Sequence, residues 1–219
     1  MSTSCDLVVP CRDEALALPA LLPRVPDCMR VIVVDNGSVD DTAAVARRLG
    51  ATVIQEPNPG YGAAVNAGVQ ACTADHVAVI DGDGSLDPRE LTPLLTAVVS
   101  ATATMAVGRR RPVNKAAWRW HARAGNALAS RWLRARTGLR VTDISPVRVC
   151  RREDLLALGV EDQRFGYPVE LLTRAAKAGW VIREYDVSYR ARTVGTRSKV
   201  SGSVPGSIRA AIDFARILR

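Results

Sequence analysis

The chain has 219 residues, of which 47% are hydrophobic and 24% are charged, a balance typical of a globular protein with a sizeable core. Its five cysteines form no Cys-x-x-Cys pair and only two histidines accompany them, so a zinc site is poorly supported and free thiols are expected. No apolar stretch approaches the roughly 20 residues of a membrane span, and the N-terminus, which has Asp6 and no basic start, does not resemble a signal peptide.

The two halves of the chain carry opposite net charge. Residues 1–105 contain six basic and thirteen acidic residues, a net charge of −7, whereas residues 106–219 contain 24 basic and nine acidic residues, a net charge of +15. A basic half favours a polyanionic partner, which is a nucleic acid, an anionic lipid or a phosphorylated substrate. A solvated, arginine-rich surface explains the same charge about equally well.

In the first half, short apolar runs rich in β-branched residues alternate with helical stretches. This alternation predicts an α/β fold with a mainly parallel sheet flanked by helices. The predicted strands are Asp6–Val9, Met29–Val34, Thr52–Gln55 and His76–Ile80, and the predicted helices are Asp41–Leu49, Gly62–Ala71 and Pro88–Ser100.

Two carboxylates separated by one glycine, Asp81-Gly82-Asp83, follow the fourth predicted strand. Ligands of open α/β sheets bind at the carboxyl ends of the strands. Two short carboxylates at that edge suit a Mg²⁺ or Mn²⁺ ion that bridges a diphosphate, because hard cations prefer oxygen ligands. A simple turn predicts the same residues about equally well, since Asp and Gly are both favoured in turns.

The loops after the other strands are also rich in polar residues and glycine. Carboxylates there can accept hydrogen bonds from a ribose or a base, and glycines let the backbone approach a ligand closely. The pair Gly60-x-Gly62 lacks the third small residue of a dinucleotide fingerprint, because Val65 stands in that place, and no P-loop motif is present.

Four motifs occur in order in the first half of the chain. They are Val-Val-Pro-Cys-Arg-Asp-Glu at 8–14, Val-Val-Asp-Asn-Gly-Ser-Val-Asp-Asp-Thr at 33–42, Asn-Pro-Gly-Tyr-Gly-Ala-Ala at 58–64, and Asp-Gly-Asp at 81–83. Together they resemble the motifs of family-two glycosyltransferases of GT-A fold. The second half extends the resemblance to the dolichol-phosphate mannose synthase branch, through Gly108-Arg109, Thr142-Asp143, Phe165–Leu171, Tyr189–Arg192 and Ser198-Lys199.

This resemblance implies a nucleotide-sugar site. Pro10, Arg12 and Glu14 would line the nucleotide base. Asp35 and Asn36 would lie near the base and the ribose. The glycines that would let the backbone approach the nucleotide sugar are Gly62 and Gly82.

The resemblance also implies a metal and a set of phosphate ligands. Asp81 and Asp83 would contact the ribose and hold Mg²⁺ or Mn²⁺ on the diphosphate, and Ser85 falls where relatives place a further metal ligand. The donor and acceptor phosphates would be held by Arg109, Lys199 and either Arg192 or Arg197.

The activity implied by the resemblance is inverting transfer of a hexose, mannose or glucose. The donor would be GDP-mannose or UDP-glucose and the acceptor polyprenyl phosphate, with the protein peripheral on the cytoplasmic face of the membrane. Residues 1–219 would form one domain, with a nucleotide-sugar half at 1–108 and a basic acceptor half at 109–219.

The chemistry of the acceptor decides which catalytic groups are needed. Asp83 and Arg192 would stabilise the departing diphosphate. A lipid phosphate is already ionised, so it needs no base, which agrees with the absence of a plausible histidine. A hydroxyl acceptor on a soluble molecule would require Asp143 or Glu170 as base. A non-catalytic nucleic-acid-binding module is a further alternative, although the basic half lacks interleaved aromatic residues and no nucleic-acid partner is expected.

The last part of the chain contains two further features. Apolar residues recur at helical spacing in 206–219 with arginines on the other face, so this segment predicts an amphipathic helix that packs on its own domain or lies at a membrane interface. The glycine- and hydroxyl-rich segment Arg190–Ser203 predicts a mobile lid. Trp118 and Trp120 are predicted to be core residues.

Overall fold

The computed structural model describes residues 5–114, 117–118 and 120–195. Within them a seven-stranded sheet is flanked by helices. The strands are β1 (Cys5–Cys11), β2 (Met29–Asp35), β3 (Thr52–Gln55), β4 (His76–Val79), β5 (Met105–Pro112), β6 (Arg148–Arg151) and β7 (Ile182–Tyr189). The α-helices are α1 (Leu18–Leu21), α2 (Thr42–Arg48), α3 (Tyr61–Ala71), α4 (Leu91–Val99), α5 (Trp120–Thr137), α6 (Arg152–Ala157) and α7 (Tyr167–Lys177), and 3-10 turns cover Leu22–Arg24 and Pro88–Glu90.

The strand order in the sheet is β3-β2-β1-β4-β6-β5-β7. The pairs among β1 to β4 are parallel, and β5 pairs in parallel with β7. Strand β6 runs antiparallel to both of its neighbours, β4 and β5. Strands β5 and β7 therefore run in the same direction as β1 to β4. The carboxyl ends of these six strands meet at one edge of the sheet.

The core lies on both faces of the sheet. In β1, Leu7 and Val9 belong to a cluster with α1, α2 and α4, whereas Val8 belongs to a cluster with α3, α5, α6 and α7. This division follows from the alternation of side chains along a strand. Strands covered on both faces are continuously apolar, which is why β1 and β4 could be recognised from the sequence.

The predicted mainly parallel α/β fold is confirmed, and the four strands and three helices predicted in the first half are present with their ends shifted by a residue or two. The helix predicted to begin at Pro88 is divided, because the 3-10 turn precedes α4. The prediction that Trp120 is a core residue is wrong, since this side chain is 81% exposed. The segment 206–219 and residues 196–203 of the predicted lid lie outside the described residues.

Among the helices of the described ranges, none has the length and apolar character that a bilayer span requires. The division of the chain into halves at residue 108 stays a prediction.

Candidate active site

A pocket with a cavity volume of about 150 Å³ opens at the edge where the carboxyl ends of the strands meet. Its floor comes from the loops after β1 and β4, and its walls from the start of α3 and the segment after β7. The lining residues are Pro10, Cys11, Arg12, Glu14, Asn36, Gly60, Tyr61, Ala64, Asp81, Gly82, Asp83, Phe165 and Arg192.

The loop after β1 is fixed by a residue in the left-handed region of backbone conformation. Asp13 has φ of +56°, which is uncommon for a residue other than glycine but tolerated by Asp. Its amide donates to Ser38 Oγ at 2.9 Å, and its Oδ1 accepts from the amide of Val39 at 2.8 Å. This turn brings its two neighbours in the chain, Arg12 and Glu14, into the lining of the pocket.

The two polar residues that end β2 mainly hold loops. Asn36 Nδ2 donates to the carbonyls of Glu56 and Asn58, and Asn36 Oδ1 accepts from the amide of Gly60 at 2.8 Å. Asn36 lines the pocket, but its amide is engaged in shaping the wall. Asp35 does not line the pocket, because it accepts hydrogen bonds from the Ser38 amide and the Gln55 side chain beneath the surface.

The two predicted metal ligands differ in how they are held. Asp83 is 2% exposed, and its Oδ1 accepts from the amide of Ser85 at 2.8 Å. Asp81 is half-buried. Gly82 lies between the two aspartates, where the turn is in close contact with the end of β1. A methyl group at this position would overlap Cys11 Sγ. The glycine is therefore required for the turn that presents both carboxylates.

Burial, and after it the charge of Asp83, raise the pKa of Asp81 to about 6. The arginines Arg192, Arg110 and Arg148 oppose this increase in pKa. A carboxyl whose pKa is raised by desolvation and by a second carboxylate has an unmet need for positive charge. Perturbed pairs of this kind are concentrated at functional sites.

The residues at this pair fit a divalent cation. Ser85 Oγ is buried and finds no hydrogen-bond partner among the described residues, and the same is true of the Tyr61 hydroxyl in the pocket lining. The described residues contain no cluster of three or more His, Cys, Asp or Glu side chains. Two carboxylates alone suit Mg²⁺ or Mn²⁺, which keep positions for water and substrate phosphates, better than they suit a structural zinc.

Arg192 reaches the acidic pair because the chain after β7 runs alongside the acidic loop. The amide of Arg190 donates to the Ser85 carbonyl at 2.8 Å, and the amide of Thr193 donates to the Asp83 carbonyl at 3.1 Å. These bonds flank Arg192, whose Nη2 lies 3.0 Å from Asp83 Oδ2. The structure thus brings together Asp81, Asp83 and Arg192 in one pocket lining, and their predicted roles stay predictions.

Arg109 is not brought to the pocket. Its side chain pairs with Asp186 on β7 and is absent from the pocket lining. The next residue, Arg110, is 14% exposed in its side chain, and its guanidinium donates to both oxygens of Asp143 at 2.9 and 2.6 Å. Arg110 also lies 4.2 Å above the Trp118 ring and acts on the pKa of Asp81.

The alternation of side chains between the two faces of β5 could have pointed to Arg110 from the sequence. The buried glycine Gly108 begins the motif, and side chains two positions apart share a face of a strand. Neither arginine lines the pocket, so the phosphate-binding role of Arg109 stays a prediction.

The two candidate bases are held by other groups. Asp143 is 3% exposed, is bound by Arg110, and accepts a further hydrogen bond from the backbone amide of Arg110 at 2.7 Å. Glu170 accepts from the amides of Glu161 and Asp162 and pairs with Arg174. Neither carboxylate lines the pocket.

Gly62 does not line the pocket, and its backbone contacts the loop before α7. Its amide donates to the Arg164 carbonyl at 3.2 Å, and a methyl group here would overlap the Asp162 carbonyl. Gly62 therefore lets the loop before α7 cross the start of α3. Arg197 and Lys199, the other predicted phosphate ligands, lie outside the described residues.

Residues 6–156 match the sequence pattern of the family described as Glycosyl transferase family 2. The chain belongs to this family. It is 55% identical over 212 residues to an uncharacterized glycosyltransferase of Mycobacterium tuberculosis, covering 97% of this chain and 96% of that protein. It is 30% identical to the polyprenol monophosphomannose synthase of Mycolicibacterium smegmatis, covering 90% of this chain and 81% of the relative.

The fold is similar to solved structures of glucosyl-3-phosphoglycerate synthase from Mycobacterium tuberculosis. One of them, with Mn²⁺, UDP and glucosyl-3-phosphoglycerate, has a TM-score of 0.73 and 20% identity, covering 99% of this chain and 80% of the other. This likeness confirms the GT-A fold. Family membership makes the chain a glycosyltransferase, not a non-catalytic nucleic-acid-binding module.

Proposed function

We propose that this glycosyltransferase moves a hexose, mannose or glucose, from a nucleotide-diphosphate sugar to polyprenyl phosphate, with inversion at the sugar. The observation that carries the proposal is the arrangement of Asp81 and Asp83 near two half-buried arginines, Arg192 and Arg110. Arg192 contacts Asp83 directly, and Arg110 is held nearby by Asp143. One acidic pair and two separate cations suit a reaction in which donor and acceptor both carry phosphate.

The donor would occupy the pocket with its nucleoside towards Pro10, Arg12 and Glu14. A Mg²⁺ or Mn²⁺ ion held by Asp81 and Asp83 would supply charge neutralisation for the departing diphosphate. Arg192 would leave Asp83 to bind the same phosphates. Arg197 and Lys199 are proposed to add to this positive charge.

The acceptor would approach Arg110. An ionised phosphate attacks without losing a proton, so no base is required. Asp143 is then a positioning residue, since both of its oxygens hold the guanidinium of Arg110. Two relatives support a lipid acceptor by their names, a polyprenol monophosphomannose synthase and an undecaprenyl-phosphate mannosyltransferase of Micrococcus luteus, each 30% identical. With this acceptor the enzyme would work as a peripheral protein at the cytoplasmic face of the membrane.

A second candidate is transfer to a hydroxyl of a small phosphorylated molecule. It is favoured by the similar fold of glucosyl-3-phosphoglycerate synthase, which has been crystallised with phosphoglyceric acid. That reaction needs a base, and Asp143 could serve only after leaving Arg110. The geometry therefore favours the phosphate acceptor.

The donor site is tested by thermal unfolding with UDP, GDP and their sugars, with and without Mn²⁺. A nucleotide at 100 times its Kd should raise Tm by about 5–10 °C in a chain of this size. Asp83→Asn should abolish the part of the shift that depends on Mn²⁺. Asp27→Asn, an exposed carboxylate at the opposite edge of the sheet, should not change it. An unaltered shift in Asp83→Asn contradicts the metal site.

The acceptor is tested with the preferred sugar nucleotide and two acceptors, polyprenyl phosphate in detergent and phosphoglyceric acid. The proposal expects radioactive sugar to enter the lipid fraction and Asp83→Asn to slow this transfer at least about a hundredfold. Transfer to phosphoglyceric acid alone would replace the proposal with the second candidate.

A further inference from the structure

Helix α5 presents an unusual outer face. Of its 18 residues only Ser130 and Leu133 are buried. Trp120 is 81% exposed and Leu128 is 70% exposed. At 100° per residue these two side chains flank the same stripe of the helix surface, which also contains three exposed alanines. We call this stripe the outer face of α5: Trp120, Ala124, Ala127, Leu128 and Ala135.

The inner face of α5 is fully occupied by the enzyme itself. Leu133 lies in the core cluster with α7. Asn126 Oδ1 accepts from the amide of Ile144 at 2.9 Å and lies 3.4 Å from Arg110 Nη2. The outer face thus points away from the described part of the domain, and the opposite side of the same helix contacts the arginine beside the pocket.

The sequence around α5 is exclusively basic. Residues 109–142 contain ten Arg and Lys residues and no Asp or Glu. Three of these arginines are exposed on α5: Arg123 and Arg134 lie next to the outer face, and Arg131 lies within it, between Trp120 and Leu128. An exposed tryptophan beside arginines, without any acidic residue, is the pattern of a helix that lies in a membrane interface.

We propose that the outer face of α5 docks on an anionic lipid bilayer, with Trp120 and Leu128 entering the head-group region and the three arginines contacting lipid phosphates. The inference deepens the proposed function and rests on it in one respect, because a lipid-phosphate acceptor requires the pocket to work at a membrane. Docking through α5 would place Arg110, bound to the inner face, close to the lipid surface.

Two other occupants are less favoured, one by its charge and one by its lack of apolar contact. The segment 196–219 carries five basic residues and one acidic residue, so it would be repelled by the basic surroundings of α5. A nucleic acid would satisfy the arginines but would leave Leu128 and the alanines without apolar contact, since base stacking uses aromatic residues.

The test is co-sedimentation of the full-length protein with vesicles of phosphatidylcholine, alone or with 30% phosphatidylglycerol, without nucleotide or polyprenyl phosphate. The proposal expects binding only to the anionic vesicles and weaker binding at high salt. Combined Arg131→Glu and Arg134→Glu should weaken binding at least about 25-fold, because each arginine near such a surface is worth about a fivefold change. Trp120→Ala should weaken it about tenfold.

The matched controls carry the same changes elsewhere. Arg47→Glu with Arg48→Glu alters two exposed arginines of α2, and Val39→Ala alters a side chain that is 94% exposed. Both controls should bind as the unchanged protein does. Equal losses in the charge control, full binding by Trp120→Ala, or an oligonucleotide that binds through Arg131 and Arg134 while vesicles do not, would each overturn the proposal. Transfer to polyprenyl phosphate in detergent is measured separately, so docking can fail while the proposed function stands.

Discussion

At the scale of single residues, we expect the contact between Arg192 and Asp83 to have two opposite effects on ligand binding. The guanidinium satisfies the carboxylate that a metal would use, so it competes with a free cation. Once a diphosphate is present, the same guanidinium can bind the phosphates, so it would then favour binding of the metal–nucleotide complex.

We therefore predict that Arg192→Gln binds Mn²⁺ alone more tightly than the unchanged enzyme but binds the Mn²⁺ complex of the nucleotide more weakly, by about tenfold for one lost charge-assisted contact. Calorimetric titration of each ligand measures both affinities. Arg190→Gln, which removes a cation that pairs with Asp87 3.5 Å away, is the control and should alter neither affinity. A change of the same sign for both ligands contradicts the competition.

Asp143 provides a second prediction at this scale. Asp143→Asn leaves the buried guanidinium of Arg110 without its carboxylate, which should cost about 3 kcal/mol of stability. If Arg110 binds the acceptor phosphate, KM for the acceptor should rise at least tenfold while the thermal shift caused by the donor nucleotide stays the same. Asp186→Asn breaks the exposed pair with Arg109 and should change KM less than twofold. Loss of donor binding in Asp143→Asn would assign Arg110 to the donor instead.

The sequence singled out Asp81, Asp83 and Arg192, but it did not show which groups the other predicted site residues bind in the folded protein. Asp81 and Asp83 follow a continuous apolar strand, so their position depends on local pattern alone. Asp35 and Asn36 have equally suitable chemistry, but Asp35 accepts a hydrogen bond from the Gln55 side chain and Asn36 accepts one from the amide of Gly60. These partners are remote in sequence, so no local pattern reports them. Arg109 and Arg110 are consecutive on β5, so their side chains point to opposite faces of the sheet. Arg109 forms an exposed ion pair with Asp186, whereas Arg110 forms a largely buried one with Asp143.

At the scale of elements, the start of α3 depends on a crossing of two backbones. The amides of Gly62 and Ala63 donate to the carbonyls of Arg164 and Gln163. These carbonyls accept hydrogen bonds from amides that have no partner within the helix itself. At position 62 only glycine fits, because a Cβ would overlap the Asp162 carbonyl.

We predict that Gly62→Ala costs about 3 kcal/mol of stability and lowers Tm by about 6–12 °C, because the overlapping atom belongs to the backbone and cannot move aside. Gly125→Ala, in the exposed part of α5 with open space around it, is the matched control. It should raise stability by about 1 kcal/mol through helix propensity. Thermal unfolding measures both, and a Gly62→Ala enzyme as stable as the parent would show that the crossing is not required.

Asp87 joins three elements before α4. Its side chain caps the 3-10 turn and contacts Arg89 at 2.6 Å, Arg24 at 3.7 Å and Arg190 at 3.5 Å. Hydrogen bonding from Arg89 lowers the pKa of Asp87 to about 2. A folded-state pKa below the unfolded value stabilises the protein above about pH 4, and the stabilisation is lost as the pH falls towards 2.

Asp87→Asn should therefore cost about 2 kcal/mol at pH 7, and this difference from the parent should shrink by about half at pH 3. Urea unfolding at the two pH values measures it. Asp41→Asn alters an exposed carboxylate that makes no capping hydrogen bond and serves as the control. A cost that is the same at both pH values would mean that shape, not charge, explains the role of Asp87.

At the scale of the whole molecule, the five thiols report on the integrity of the core. All are free, and only Cys28 is exposed. Burial raises the pKa of Cys5, Cys72 and Cys150 to about 12, and it raises that of Cys11 as well. A native chain should react with one equivalent of a thiol reagent at pH 8 and with five after denaturation. Rapid reaction of a second thiol, measured by absorbance, would contradict the burial of these strands.

Prediction from sequence also worked unevenly across the whole sheet. Strands β1 to β4 come from the first 79 residues and have apolar patterns that identify them individually. Strand β6, Arg-Val-Cys-Arg, is too short and too polar to be recognised. Its place between β4 and β5 depends on hydrogen bonds to strands that are distant in the sequence. The local sequence of β6 does not indicate which strands it pairs with.

The position of β6 has a consequence for synthesis on the ribosome. When β5 emerges, its neighbours in the finished sheet have not yet been made, since they start at Arg148 and Ile182. The nascent chain must carry an unpaired β5 while some forty further residues are added. We expect fragments that stop before Arg148 to aggregate through this unpaired edge, whereas fragments that include β6 should remain dispersed.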